Sequence, residues 1–124
     1  MIAARARAAA TCTLALAALA SGCRSSSPLA PKKEVDSLLS SIGLYCGKAT
    51  QLRTFPGHAG EVKKLDSSAR DTAHRLIGIM RRDPKATYLG QTMREVVDTE
   101  ASATSECGLS SASSALSRAL GRRR

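Results

Sequence analysis

Tryptophan is absent from this 124-residue chain, and its only aromatic side chains are Tyr45, Phe55 and Tyr88. A core made from it must therefore use Ala, Val, Leu, Ile and Met, and the aromatic platforms on which single-stranded nucleic acids stack are nearly missing. No HExxH, CxxC or glycine-rich phosphate loop occurs, which removes the common sequence signatures of zinc hydrolases, thiol redox centres and nucleotide sites. No window alternates apolar and polar residues over a useful strand length, and no segment repeats. No uncharged apolar run reaches the ~20 residues of a membrane-spanning helix. The longest, 8–23, has 16 residues, roughly 24 Å of helix against a hydrocarbon core of about 30 Å.

What that run does contain is informative. Arg5 and Arg7 precede it, Ala and Leu dominate it, and it closes on small residues followed by Arg24-Ser25-Ser26-Ser27-Pro28. A basic start, an apolar stretch of about a dozen residues and a small-residue cut site make a secretory signal peptide. Leu19-Ala20-Ser21-Gly22-Cys23 resembles the lipobox of bacterial lipoproteins. The resemblance covers residues 1 to about 24; it departs from the commonest pattern at Ala20, where Leu is usual. It implies that residues 1–22 are removed, that the Cys23 sulfur carries a diacylglyceryl group, and that the protein is tethered to a membrane on the extracytoplasmic side of the cell envelope. Two or more acyl chains make a stable anchor, whereas one holds only marginally. The alternatives are an ordinary signal cut near Ala20 or Gly22, with Cys23 incidental, and an uncleaved anchor.

With 1–22 removed, 102 residues remain, enough for one small domain that buries a modest share of its surface. Cys46 and Cys107 are then the remaining pair. In an exported chain an even pair is first a disulfide, closing a loop of about 60 residues; a metal pair or two buried thiols are the other readings. Losing Arg5 and Arg7 leaves 17 of the 19 Lys and Arg against all 10 acids. Much of the excess lies in Arg118, Arg122, Arg123 and Arg124.

Residues 23–33, the lipidated Cys and a Ser- and Pro-rich stretch, read as a tether. From Glu34 the apolar residues Val35, Leu38, Leu39, Ile42, Cys46, Ala49 and Leu52 step by three or four, the mark of one helical face, and Phe55-Pro56-Gly57 ends it. A second helix is predicted over about 59–82, with Val62, Leu65, Ala69, Ala73, Leu76, Ile77 and Met80 on one side. Asp83-Pro84 offers an N-cap and a first helical residue for a third. That helix would carry Leu89, Met93, Val96, Val97, Ala103 and Cys107 and end at Gly108, with Glu100 interrupting its apolar face at the rim or paired to Arg75. A short segment, 111–120, has a weak apolar face and needs support to be helical. The predicted fold is all-α: a small antiparallel bundle of three helices plus a short C-terminal helix over 34–120, stapled by a disulfide and followed by a basic tail, 121–124. One tension is built into it. Cys46 falls in mid-helix and Cys107 at a helix end, an offset on the order of 15 Å in parallel first and third helices.

No catalytic residue, metal site or cofactor is predicted. His58 lies in a turn and His74 beside an apolar face, and the acids alternate with bases as on solvated helices. The expected role is non-enzymatic binding of an envelope protein or polymer by a membrane-tethered domain, without nucleic acid. Two alternatives stand beside it: a small-ligand or metal-binding bundle using His58 and His74, and an electrostatic binder of anionic surfaces through Arg118 and Arg122–Arg124.

Overall fold

The three-and-four spacing of apolar residues does become helix. The structure, a computed structural model, describes residues 28–122 of the chain. Its helices are α1 (Lys32–Arg53), α2 (Ala59–Arg82), α3 (Met93–Glu106) and α4 (Ser110–Ala119), with a hairpin of two-residue strands, β1 (Thr87–Tyr88) and β2 (Gln91–Thr92), between α2 and α3. The chain runs up, down, up, down. Asp66 of α2 reaches the start of α4, and Arg81 shares a cleft with Arg118 near the end of α4, so α2 and α4 run side by side in the same direction. α1 and α3 do likewise.

Two apolar clusters fill the interior. The larger holds Val35, Leu38, Ile42, Leu76, Met80, Met93, Val97 and Leu116 among others; each large side chain of this kind contributes roughly 1.5–3 kcal/mol on full burial. The smaller is Ala49, Ala69, Leu109 and Ala112, backed by Tyr45, Val62, Leu65 and the two cysteines. Three of its four buried members are alanines, so hydrophobic burial is thinnest there. That is where Cys46 and Cys107 meet.

The third helix starts nine residues later than Asp83-Pro84 suggests. Asp83 is the non-helical residue that closes α2, its N–H bonded to the Ile79 carbonyl. Residues 83–86 turn, and the hairpin follows through Leu89 and Gly90, both at positive φ (48° and 82°), as a tight two-residue hairpin turn requires. Helix α3 is nucleated instead by a reciprocal capping box: the Thr92 hydroxyl accepts from the Glu95 N–H at 3.1 Å, and the Glu95 carboxylate accepts from the Thr92 N–H at 2.8 Å. Two orphan donors are satisfied at once, more than Asp83 would achieve alone. Leu89, expected in the apolar face, stands exposed at the hairpin tip.

The late start removes the cysteine offset. Lys32 and Met93 begin their helices at the same end of the bundle, and Cys46 and Cys107 each stand 14 positions further on.

Part of the stretch read as a tether also belongs to the fold. The Ala30 N–H donates to the Thr87 carbonyl (2.9 Å), the Thr87 N–H donates to Pro28 (2.8 Å), and Ala30 is buried. Helix α4 packs on the bundle, burying Ala112, Leu116 and Leu120 with the hydroxyl-bearing Ser113 and Ser117. It ends in a Schellman closure: Arg122 N–H to Ser117 O and Gly121 N–H to Arg118 O, both 2.9 Å. Residues 121 and 122 thus cap a helix rather than open a tail.

Candidate functional site

The Sγ atoms of Cys46 and Cys107 lie 2.06 Å apart, at disulfide distance, with Cα atoms 5.4 Å apart. Around them α3 and α1 interlock. Helix α3 ends in a second Schellman closure, Gly108 N–H to Ser105 O (3.1 Å) and Leu109 N–H to Thr104 O (2.9 Å). Gly108 takes φ +80° there, a conformation that a side chain resists. The last turn of α1 supplies Arg53, whose guanidinium donates to the carbonyls of Cys107 and Gly108, the latter at 2.8 Å. A cation on the last carbonyls of a helix complements its dipole. The guanidinium lies so close that a Cβ on Gly108 would fall 2.7 Å from it.

One turn away, α4 begins at Leu109, which has no capping oxygen. Asp66 of α2 supplies it, accepting from the N–H groups of Ser111 (3.0 Å) and Ala112 (3.2 Å). A carboxylate at these two donors does what an N-cap side chain would do, from 45 residues away in sequence.

Between α2 and α4 lies a cleft of about 470 Å³. Arg70, His74 and Arg81 line it from α2 at spacings of four and seven, and Ser111, Ser114 and Arg118 from α4 at three and four, so each set forms one row. Arg118 is thus brought to two arginines that the sequence did not group with it. Among the described residues Arg81 and Arg118 form no ion pair, and Arg70 only approaches Asp71 at 3.9 Å. Such a lining suits anions.

The other sequence-singled residues disperse. Arg122 pairs with Asp98 at 2.5 Å, and Cys23, Arg123 and Arg124 lie outside the described residues. His58 precedes α2 and meets the Glu61 carboxylate, whereas His74 is 16 positions on, about 24 Å along the helix. A site shared by the two histidines is therefore ruled out. No three His, Cys, Asp or Glu residues converge as metal ligands among the described residues, and no described helix is long and apolar enough to cross a membrane.

Glu100 sits half-buried on a groove between α1 and α3 with Leu39, Ile42 and Cys46. It forms no ion pair among the described residues, and burial pushes its carboxyl above the ordinary 4.5. Arg75, offered by the sequence as a partner, lines a different groove, with Ser41 and Asp71. At the hairpin, Asp36 accepts from Lys32 (2.8 Å) and from the Tyr88 hydroxyl. The Lys32 hydrogen bond, then that of Tyr88, holds the Asp36 carboxyl below its usual range, and Asp36 in turn raises the Tyr88 phenol.

These features define a four-helix domain with cross-linking polar contacts at one end and, along one cleft, two arginines, Arg81 and Arg118, that form no ion pair among the described residues. No family description, curated protein or solved structure matches the chain.

Proposed function

We propose that this protein is a lipid-anchored envelope protein whose small helical domain works by binding rather than by catalysis. The observation that carries the reading is Cys23 at the end of a basic-then-apolar leader, in the setting Leu19-Ala20-Ser21-Gly22-Cys23. The approach of Cys46 to Cys107 supports it. A pair at disulfide distance suits an oxidising compartment outside the cytoplasm, and it leaves Cys23 as the one cysteine of the mature chain with another task. In this reading Cys23 is the anchor and the Cys46–Cys107 bond staples the part of the bundle with the thinnest core. The partner is an envelope protein, an envelope polymer or the membrane surface itself.

Replacing Cys23 with Ala tests the anchor. In cells supplied with labelled palmitate, the parent protein should fractionate with membranes and carry label. The C23A variant should lose the label and either stay unprocessed or appear in the soluble fraction. An unlabelled parent, or a C23A protein retained and processed as before, would contradict the reading.

A further inference from the structure

The fold collects several segments at one end of the bundle. Leu29 pairs with Thr87 at the hairpin, the Met93 N–H donates to Ala86 at the start of α3, and Arg94 donates to the Leu120 carbonyl (2.7 Å) at the end of α4. The first turn of α1, the last turns of α2 and α4 and the β1–β2 hairpin therefore share that end. Leu29 and Leu89 are there, and at 83% and 72% exposed they present more of themselves to solvent than the other exposed large apolar residues, Leu44 and Phe55. Leu89 is also the only non-glycine among the described residues at positive φ. A leucine held left-handed and bare at a hairpin tip contributes nothing to the core, and such positions concentrate where a contact is made.

Lys33, Arg81, Arg82, Lys85 and Arg118 are exposed on the segments that share this end. None forms an ion pair among the described residues. The acids of this end are mostly engaged. Glu95 is held in the capping box, Asp98 pairs with Arg122 and Asp36 with Lys32, which leaves Glu34 and half-buried Asp83. Arg123 and Arg124 follow in the sequence.

Chain length then selects the occupant. Only five steps separate Cys23 from Pro28, the first described residue, a span of at most about 18 Å. Helix α2, with 24 residues, is alone about 36 Å long. A lipid at Cys23 keeps this end near the bilayer and is too short a leash for the bundle to turn round and offer the end that carries Phe55.

From these observations we infer that the end bearing Leu29, Leu89 and the unpaired bases docks on the anionic surface of the membrane that holds the anchor. The leucines enter the headgroup boundary and the bases face lipid phosphates. The inference rests on the lipid-anchor reading for its geometry, yet the two can fail separately. Each base near an anionic surface is worth roughly fivefold in partitioning, and the attraction is screened by salt.

The absence of tryptophan makes the test clean. L89W and F55W variants of the mature lipidated protein would each carry a single reporter, at opposite ends. In vesicles of phosphatidylcholine with phosphatidylglycerol, the L89W emission should shift to the blue and be quenched by brominated acyl chains, while F55W should stay in water. L29W gives a second reading of the same end should the hairpin not close around the larger ring. Emission from both L89W and L29W that remains water-like, or insertion of F55W to an equal extent, would overturn the inference even though lipidation stands. An unlipidated C23S chain carrying L89W separates the two claims. It should still bind anionic vesicles, reversibly with salt, and K33E/R82E/K85E should weaken that binding at least roughly tenfold. Equal binding by the triple variant, or to neutral vesicles, would overturn the surface without touching the anchor.

Discussion

The two ends of this bundle are built differently. At the far end, residues distant in sequence satisfy one another: Arg53 closes α3, Asp66 opens α4, and Cys46 meets Cys107. At the near end, which holds the first described residue, Pro28, the side chains of Leu29 and Leu89 are left to solvent, and Lys33, Arg81, Arg82, Lys85 and Arg118 form no ion pair among the described residues. The far end has the smaller apolar cluster, largely alanine, and leans on polar and covalent links. The near end has the larger cluster beneath it and leaves its outer face free.

Breaking the far end should cost most. Replacing both Cys46 and Cys107 with Ala opens a loop of 61 residues; the chain-entropy estimate puts the loss at about 4 kcal/mol, measured by urea unfolding of the mature chain. Next comes Gly108→Ala, which puts a Cβ at φ +80° and against the Arg53 guanidinium. A loss of about 2 kcal/mol is expected from the left-handed conformation and the displaced cap together. If α3 and α1 were only loosely joined, the variant would be milder.

Smaller effects sharpen the contrast. The Glu100 carboxyl is raised by burial, so the native state favours its protonated form. The charged form costs stability at neutral pH, and that cost fades as pH falls through the raised native value and is gone below the ordinary 4.5. Glu100→Gln should therefore stabilise by less than about 1 kcal/mol at pH 7, given the partial exposure, and do nothing near pH 3 in paired melting curves. At the near end, Leu29→Ser and Leu89→Asn should each change unfolding stability by no more than about 0.5 kcal/mol, with Asn accepting the left-handed backbone more readily than Leu. A large loss from either would mean that the near end is structural, and the contrast would dissolve.

Three of the four helices were legible in their spans because their apolar residues repeat with helical period; 59–82 matches α2 at both ends. The start of α3 was misplaced because two start signals compete within ten residues. Asp83-Pro84 is the more familiar signal, whereas Thr92-Met93-Arg94-Glu95 spells the capping box that wins. Leu89-Gly90 does not announce the hairpin, since leucine rarely sits at positive φ. The pairing of Cys46 with Cys107 was legible from count and compartment, but its geometry waited on the true start of α3. Arg53, Asp66 and the alignment of Arg70, His74 and Arg81 with Arg118 were not legible. They act across 37 to 55 residues of sequence, and nothing local in a surface Arg or Asp marks which distant group it will meet. Arg122 looked like part of a basic tail because its partner, Asp98, lies a helix away.

The most direct test of the account is the intact mass of the protein extracted from membranes, taken with thiol alkylation before and after reduction. The account predicts the mass of residues 23–124 plus acyl groups, with two thiols alkylated only after reduction. An unlipidated mass, or two thiols free before reduction, would contradict it.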